Sequence, residues 1–456
     1  GLPVILHVLH EWGGGIERFA LDLADADAER VHLGLRSRGR WSSRNYGEAL
    51  DLVILPSGLT IRRWPLLPAI GSARLAHPGY RRILESIVSE FAVSGVLVSS
   101  LIGHSLDVHD LSVPTMVIGH DYFSLWPELH CNFGDELQRF DAATRRQTVL
   151  ALPRDGLFGE RDPVFWQDLY EAYSARLLGS HIQLTVPSES VRSNLRRLVP
   201  KLSSMVVVSH GLRPWPVTPE RSKPNFDELP LRLLVLGRID GGKGLELLRG
   251  ALPELTRHAD LHLLGCGKAG EELFGVSGVH IELDYPNAEL PERIRRIRPH
   301  AALLLSTVAE SFSYTLSELW SLGVVPVATR TGAFAERIAE GRNGLLFSPD
   351  ARALIAIVRN LAQDRATLRE IHERLGSTEL RTSRSMAEDY QRLFVLEARQ
   401  RAVDWQRYGP EDDERIEILG ETLVLRQKVQ AQTKTIAGQL TELERRASWG
   451  FDLDRQ

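Results

Sequence analysis

Short runs rich in leucine and β-branched residues alternate with helical stretches along this chain, and the alternation stops and restarts once. The first series places strands at Val4–Leu9, Val31–Arg36, Val53–Leu55, Gly95–Ser99, Thr115–Gly119, Leu184–Pro187 and Met205–Val208. The second places them at Arg232–Gly237, Asp260–Gly265, Val279–Glu282, Ala301–Ser306 and Val324–Ala328. Strands and helices in alternation build parallel sheets from repeated crossover units. Between the series, Arg213 to Pro230 holds five prolines and several charges, which reads as a linker. The expected fold is therefore α/β, with two Rossmann-like, doubly wound domains facing a cleft: residues 1–212 and 231–383, joined by a linker at 213–230. Ligands of such sheets bind beyond the carboxyl ends of the strands, so the loops that follow strands are where function should be sought.

At 456 residues the chain is about three times a single-domain unit of roughly 150, which leaves room for two domains and a surplus. Residues 384–400 are expected to return as a helix to the first domain, and 401–456 to form a helical tail. In that tail Ile418, Leu425, Val429, Ile436, Leu440, Leu443 and Ala447 fall near 3-4 spacing, with Thr422 and Thr433 in the gaps. The pattern fits a coiled coil, or an amphipathic helix packed back on the body. A net charge of −4 gives no reason to expect nucleic acid as a partner. Apolar runs stay strand-sized, far short of the ~20 residues that span a bilayer. Two cysteines, Cys131 and Cys266, make neither a disulfide framework nor a zinc cluster, and suit a reducing compartment. The expectation is a cytoplasmic chain without a signal peptide, at most resting on the inner face of the membrane.

Four segments carry chemistry. The first runs from the strand Ala301–Ser306 through Glu310-Ser311-Phe312-Ser313 into a helix at Tyr314–Leu322, closed by Gly323. Ser311 or Ser313 can cap this helix, and its free N–H groups near Ser313 and Tyr314 suit a phosphate. Glu310 and Glu318 flank that anion site at different depths, and carboxylates accept hydrogen bonds from vicinal hydroxyls, so one suits a hexose and the other a ribose. The second segment, Gly237-Arg238-Ile239-Asp240-Gly241-Gly242-Lys243-Gly244, is a strand-to-helix turn with two cations for a departing diphosphate. Lysine is rare here, six against 49 arginines, which makes Lys243 notable. It does not have the glycine and lysine spacing of a P-loop. The third is Gly13-Gly14-Gly15 after the first strand, where a bare backbone permits close approach of a ligand. The fourth, His120-Asp121-Tyr122-Phe123, ends a strand on its cleft side.

Together these segments resemble the retaining glycosyltransferases of the GT-B fold, specifically family 4, the glycosyl transferases of group 1. The likeness extends from the loop at Gly13 to about residue 400, and is strongest in Gly237-Arg238, Lys243-Gly244, the Glu310-to-Glu318 frame, Leu322 to Thr329, Gly332 and Asn343 to Phe347. It implies a nucleotide-sugar donor as substrate, with UDP-, GDP- and dTDP-sugars left open, and no permanently bound cofactor or metal. Arg238 and Lys243 would then hold the diphosphate, with Gly237 beside them. Glu318 would hold the ribose, Glu310 the transferred sugar, and His120 would sit beside that sugar. Backbone around Ser311, Phe312, Ser313 and Tyr314 would complete the phosphate site, and Gly14 and Gly15 would approach the diphosphate or the acceptor. Glu310, His120, Arg238 and Lys243 are the catalytic candidates. Where the family often has glycine after the first Glu, this chain has Ser311.

Trp126 to Asp135, with Glu128, His130, Cys131 and Asn132, resembles acceptor-side sequence of polysaccharide-building members. The implied acceptor is a glycan or lipid-linked glycan, in bacterial surface polysaccharide such as O-antigen. Ile61 to Arg82 mixes Arg62, Arg63, Trp64, Arg74, Arg81 and Arg82 with prolines, which reads either as a solvated loop and helix face or as a peripheral membrane contact. Assembly through the C-terminal helix is a further expectation. Rival readings are transfer to a protein, nucleic acid or small molecule, a catalytically idle scaffold on the same fold, and a nucleotide-sugar epimerase.

Overall fold

The computed structural model describes residues 1–39, 46–129, 131–134, 138–153, 160–376 and 379–400, together with 403, 405, 425, 429, 432–433 and 435–440. The first half runs β1 (Val4–His10), α1 (Gly14–Ala26), β2 (Val31–Arg38), β3 (Ala49–Leu55), β4 (Leu59–Pro65), β5 (Ala73–Arg74), α2 (Pro78–Glu90), β6 (Val93–Val98), β7 (His104–Ser105) and β8 (Thr115–Ile118). It continues through α3 (Ala142–Ala151), α4 (Pro163–Leu177), β9 (Ile182–Val186), α5 (Glu189–Leu198) and β10 (Val206–Val207). The second half comprises β11 (Leu231–Leu236), α6 (Leu245–Leu255), β12 (Ala259–Leu264), β13 (Val279–Glu282), α7 (Leu290–Ile297), β14 (Ala301–Leu304), α8 (Tyr314–Ser321) and β15 (Pro326–Thr329). Then come α9 (Gly332–Arg337), β16 (Leu345–Phe347), α10 (Ala351–Gln363), α11 (Ala366–Leu375) and α12 (Ser383–Leu393).

The second sheet has the order β13-β12-β11-β14-β15-β16, parallel throughout. The first has the order β10-β9-β8-β6-β1-β2-β3-β4. It corrects the all-parallel expectation, because β2, β3 and β4 pair antiparallel. A tight turn at Pro56-Ser57-Gly58 folds β4 back on β3: Gly58 adopts a left-handed φ of 78°, and the Ser57 hydroxyl donates to the Ile54 carbonyl at 3.0 Å. The arginines of β4 are consumed by this edge. Arg62 forms a fork with Glu90 at 2.5 and 2.6 Å, and Arg63 binds Asp51 at 2.6 and 2.8 Å. Arg81 pairs with Glu85 at 3.0 Å, and Arg74 donates to the Ile70 carbonyl. These residues serve the fold first, which weakens the membrane-contact reading of that segment.

Both sheets reverse strand order beside a central strand, at β1/β6 and at β11/β14. The loops leaving β1, β8, β11 and β14 therefore converge on one crevice, as open α/β sheets require. Each half has its own buried core, and a third cluster joins them: Phe312 and Tyr314 pack with Ile5, Phe19, Met386, Tyr390 and Phe394. The chain crosses back at α12, whose Gln391 donates to Asp27 at 2.8 Å, while Arg30 donates to the Phe394 carbonyl. The two crossings touch each other. Leu212 and Ser383 donate respectively to the Arg381 and Leu212 carbonyls, and a Cβ on Gly211 would lie 2.0 Å from the Thr382 oxygen. Only glycine fits there.

The proline-rich segment before β11 is not free chain. Trp215 donates its indole N–H to Ser321, Ser222 donates to the Leu322 carbonyl, and Phe226 is buried. In the tail, 435–440 is helical and Leu425, Val429, Ile436 and Leu440 are exposed. Ile418, Thr422, Leu443 and Ala447 lie outside the described residues, and with them most of the heptad expectation. No described helix is long and apolar enough to cross a membrane.

Candidate active site

The loop from β14 to α8 is held in an unusual shape. Ser313, with a left-handed φ of 67°, caps α8 by accepting from the Leu316 N–H at 3.2 Å, so of the two candidate caps it is Ser313 that serves. The first N–H groups of the helix, those of Tyr314 and Thr315, have no carbonyl one turn behind them. Further back, the Glu310 loop is pressed against the start of α9. Ala333 donates to the Glu310 carbonyl at 2.8 Å, and Gly332 (φ 47°) comes so near that a Cβ would lie 2.5 Å from the Glu310 nitrogen. Gly332 is thus a requirement of the Glu310 backbone.

Two cavities meet at the end of α8. One, about 350 Å³, is lined by Glu310, Lys243, His120, Asp121, His10, His210 and Trp12, with Gly13 at its edge. The other, about 560 Å³, is lined by Glu318, Asn287, Tyr285, Leu236, Gly237, Arg18 and Gly14. Gly15, Tyr314 and Thr315 line both. Ser311, Phe312 and Ser313 face the first. Leu129 and Cys131 also reach it, whereas His130 and Asp135 of the same segment lie outside the described residues.

Each carboxylate of the Glu310-to-Glu318 frame has a cationic partner. Lys243 Nζ donates to Glu310 Oε1 at 2.5 Å. Glu318, its side chain only 5% exposed, accepts on Oε1 from Arg18 of α1 and from Asn287 Nδ2 at 2.9 Å. Arg18 thereby bridges the two halves, lying over the Tyr314 ring at 4.8 Å. A second bridge is Glu336, which accepts from the Glu189 and Ser190 N–H groups at the start of α5. Arg238 departs from expectation. Its guanidinium turns outward to Asp284 at 3.1 Å, with the side chain 59% exposed, and it lines neither cavity. Asp284 is the anion that this long, exposed arm meets.

Three imidazoles, His10, His120 and His210, line the same cavity as Glu310. Burial lowers His120 to about 3 and His10 to about 4, and holds His210 well below the ordinary range, so all three are neutral at pH 7. His120 packs against Phe19 and His210, and its Nε2 is buried with no hydrogen-bond partner among the described residues. A polar atom in that state, at the wall of a cavity, is suited to a ligand hydroxyl. Burial raises Asp121 to about 7, against the opposing pull of the Phe123 N–H it accepts. The structure therefore brings Glu310, Lys243, His120, Ser311, Phe312, Ser313 and Tyr314 around one cavity, and Glu318, Gly14 and Gly237 around its neighbour. Asp121, from the segment already singled out with His120, lines the same cavity, and His10, Trp12 and His210 join them without having been singled out. His10 ends β1 just as His120 follows β8, so the strand-end rule that marked one could have marked the other.

Residues 230–364 match the model of the family described as glycosyl transferases group 1. That stretch is a group 1 glycosyltransferase domain. No curated protein matches the chain. Among solved structures, sucrose-phosphate synthase from Thermosynechococcus elongatus is similar over 86% of this chain and 98% of its own, at 16% identity and a TM-score of 0.57. HepE from Anabaena, solved with UDP and glucose, is similar over 86% of this chain and 99% of its own, at 11% identity and a TM-score of 0.55. A glycosyltransferase from Rickettsia africae follows at 14% identity, covering 86% and 98%, with a TM-score of 0.51. At these identities the likeness speaks for the fold, which is GT-B. The family match itself covers residues 230–364, the stretch from β11 to α10.

Proposed function

We propose that the chain transfers a sugar from a nucleoside diphosphate sugar to a glycan acceptor, with retention of configuration and without a metal. The observation that carries this reading is the order of groups along the crevice. A carboxylate suited to ribose, Glu318, stands in the larger cavity, the free N–H groups of Tyr314 and Thr315 lie between, and Glu310 with Lys243 stands in the smaller one. That is the order of nucleoside, diphosphate and sugar in the donor. Lys243 and the α8 N–H groups stabilise the charge that grows on the leaving diphosphate, which is the work a metal does elsewhere. Arg238, on the same loop, joins them by leaving Asp284.

The transferred sugar lies between Glu310, which accepts from its hydroxyls, and the neutral His120, whose unpartnered Nε2 takes one more. The acceptor enters beside Trp12, Leu129 and Gly13, where aromatic and apolar surface suits the faces of sugar rings. Its hydroxyl attacks on the face from which the diphosphate leaves, consistent with the retaining family that the chain resembles. Bacterial surface polysaccharide, including O-antigen, is the acceptor class that the Trp126-to-Cys131 segment favours. The donor is a UDP-, GDP- or dTDP-sugar, and HepE, solved with UDP, makes UDP the first to test.

Purified protein incubated with each sugar nucleotide should release nucleoside diphosphate when a glycan acceptor is supplied. Glu310→Ala should lower kcat by about a hundredfold while leaving the folded state intact by circular dichroism. Undiminished turnover in that variant would overturn the role given to Glu310, and release with no acceptor present would favour an epimerase.

A further inference from the structure

Behind the phosphate loop sits a cation that the donor reading has not used. Arg337, the last residue of α9, donates from Nη1 to the Phe312 carbonyl at 2.6 Å and to the Ser313 carbonyl at 3.0 Å, and from Nη2 to Ser317 Oγ at 2.7 Å. Its guanidinium lies 3.9 Å from the Phe312 ring centroid. Every one of these direct partners is neutral, no close ion pair of Arg337 is found among the described residues, and the carboxylate that acts on it from further off is that of Glu336. The adjacent Glu336 caps α5 in the other half. Burial lowers Arg337 to about 10, so it still carries its charge at pH 7.

We propose that Arg337 is the positioning residue of the diphosphate site, pinning the Phe312 and Ser313 carbonyls away from the crevice and keeping at the end of α8 a positive charge that the bound diphosphate answers. The inference rests on the donor placement proposed above. Ser313 is a non-glycine residue at positive φ, a conformation that costs about 1–3 kcal/mol and persists only where its surroundings over-determine it. Arg337 supplies that determination by binding both carbonyls of the turn at once. Carbonyl oxygens facing the crevice would repel a diphosphate, whereas carbonyls tied to a guanidinium leave the N–H groups on the ligand side. A largely desolvated guanidinium whose direct partners are all neutral is stabilised by further negative charge at the end of α8, which a bound diphosphate supplies.

The test compares a nucleoside diphosphate with its own nucleoside. The parent is titrated calorimetrically with UDP, GDP, ADP and dTDP, and the tightest of the four, with the matching nucleoside, is carried to Arg337→Met, Arg337→Lys and Ser317→Ala. In Arg337→Met the diphosphate should bind roughly twentyfold more weakly while the nucleoside changes by less than about threefold, since only the phosphate contacts depend on the charge. Arg337→Lys, which keeps the charge but not the fork, should fall between, and guanidinium chloride at millimolar concentration should restore part of the affinity to Arg337→Met. Ser317→Ala should retain the parent ratio. Equal losses for nucleoside and diphosphate, or no loss of either, would overturn the inference and leave the donor reading standing. If Arg337→Met does not fold, a parent-like ratio in Arg337→Lys overturns it. A parent that binds none of the four diphosphates overturns the donor reading and this inference with it.

Discussion

Acidified from pH 7 to pH 5, the protein is expected to lose most of its stability. Six imidazoles of the first half are held neutral by burial: His10, His104 and His109 at about 4, His120 at about 3, and His7 and His210 well below the ordinary range. A folded pKa beneath the unfolded value of about 6.5 means that the unfolded chain takes up protons first as the pH falls. The stability these groups permit is complete above pH 6.5 and is lost progressively toward pH 4. For the four with a stated value the loss is about 2 kcal/mol each at pH 5. Asp121 acts in the opposite sense. Its folded pKa is raised to about 7, so protonation favours the fold, which offsets about 2 kcal/mol. The net loss, about 5 kcal/mol or more, matches a typical domain stability of roughly 5–15 kcal/mol. Thermal melts at pH 7, 6 and 5 should show the melting temperature dropping by at least about 10 °C. A shift under about 3 °C would show that these rings accept protons within the fold, and that the His120 wall is not neutral as described.

Lys243→Ala should lower kcat by about 10²- to 10³-fold, with the donor KM changed much less. Lys243 donates to Glu310. When the donor enters, this ammonium sits where negative charge grows only as the bond to the sugar breaks, so its loss is felt in the transition state more than in the ground state. Lys243→Arg keeps the charge on a longer, planar head and should recover part of the rate. Rates of nucleoside diphosphate release at saturating donor check this. An alanine variant within about fivefold of the parent would place the leaving-group charge on other residues, Arg238 first among them.

The parts of this site legible in the chain were those built from neighbours in sequence. The glycines at 13–15 and 237–244, the two glutamates eight positions apart, and the His-Asp pair after a strand each declare a loop and its chemistry locally. What stayed hidden depends on residues brought together from far apart. Arg18 and Glu318 meet across 300 positions, and one arginine among 49 carries no mark of that pairing. Arg337 acts through carbonyls, which no side-chain pattern reveals. The antiparallel edge at β3 and β4 was masked because Arg62 and Arg63 read as exposed charges, whereas Glu90 and Asp51 neutralise them in place. Arg238 shows the converse. It follows β11 on the loop where the chain suggested a cation for a diphosphate, yet its flexible arm pairs with Asp284 and lines neither cavity.

A crystal structure with an unhydrolysed nucleoside diphosphate sugar bears most directly on the arrangement as a whole. The ribose hydroxyls should displace Arg18 from Glu318, the diphosphate should rest on the Tyr314 and Thr315 N–H groups with Lys243 beside it, and the sugar should lie between Glu310 and His120. A donor bound with its ribose away from Glu318, or with its sugar outside the cavity that His120 and Glu310 share, would contradict the assignment of these two cavities to one substrate.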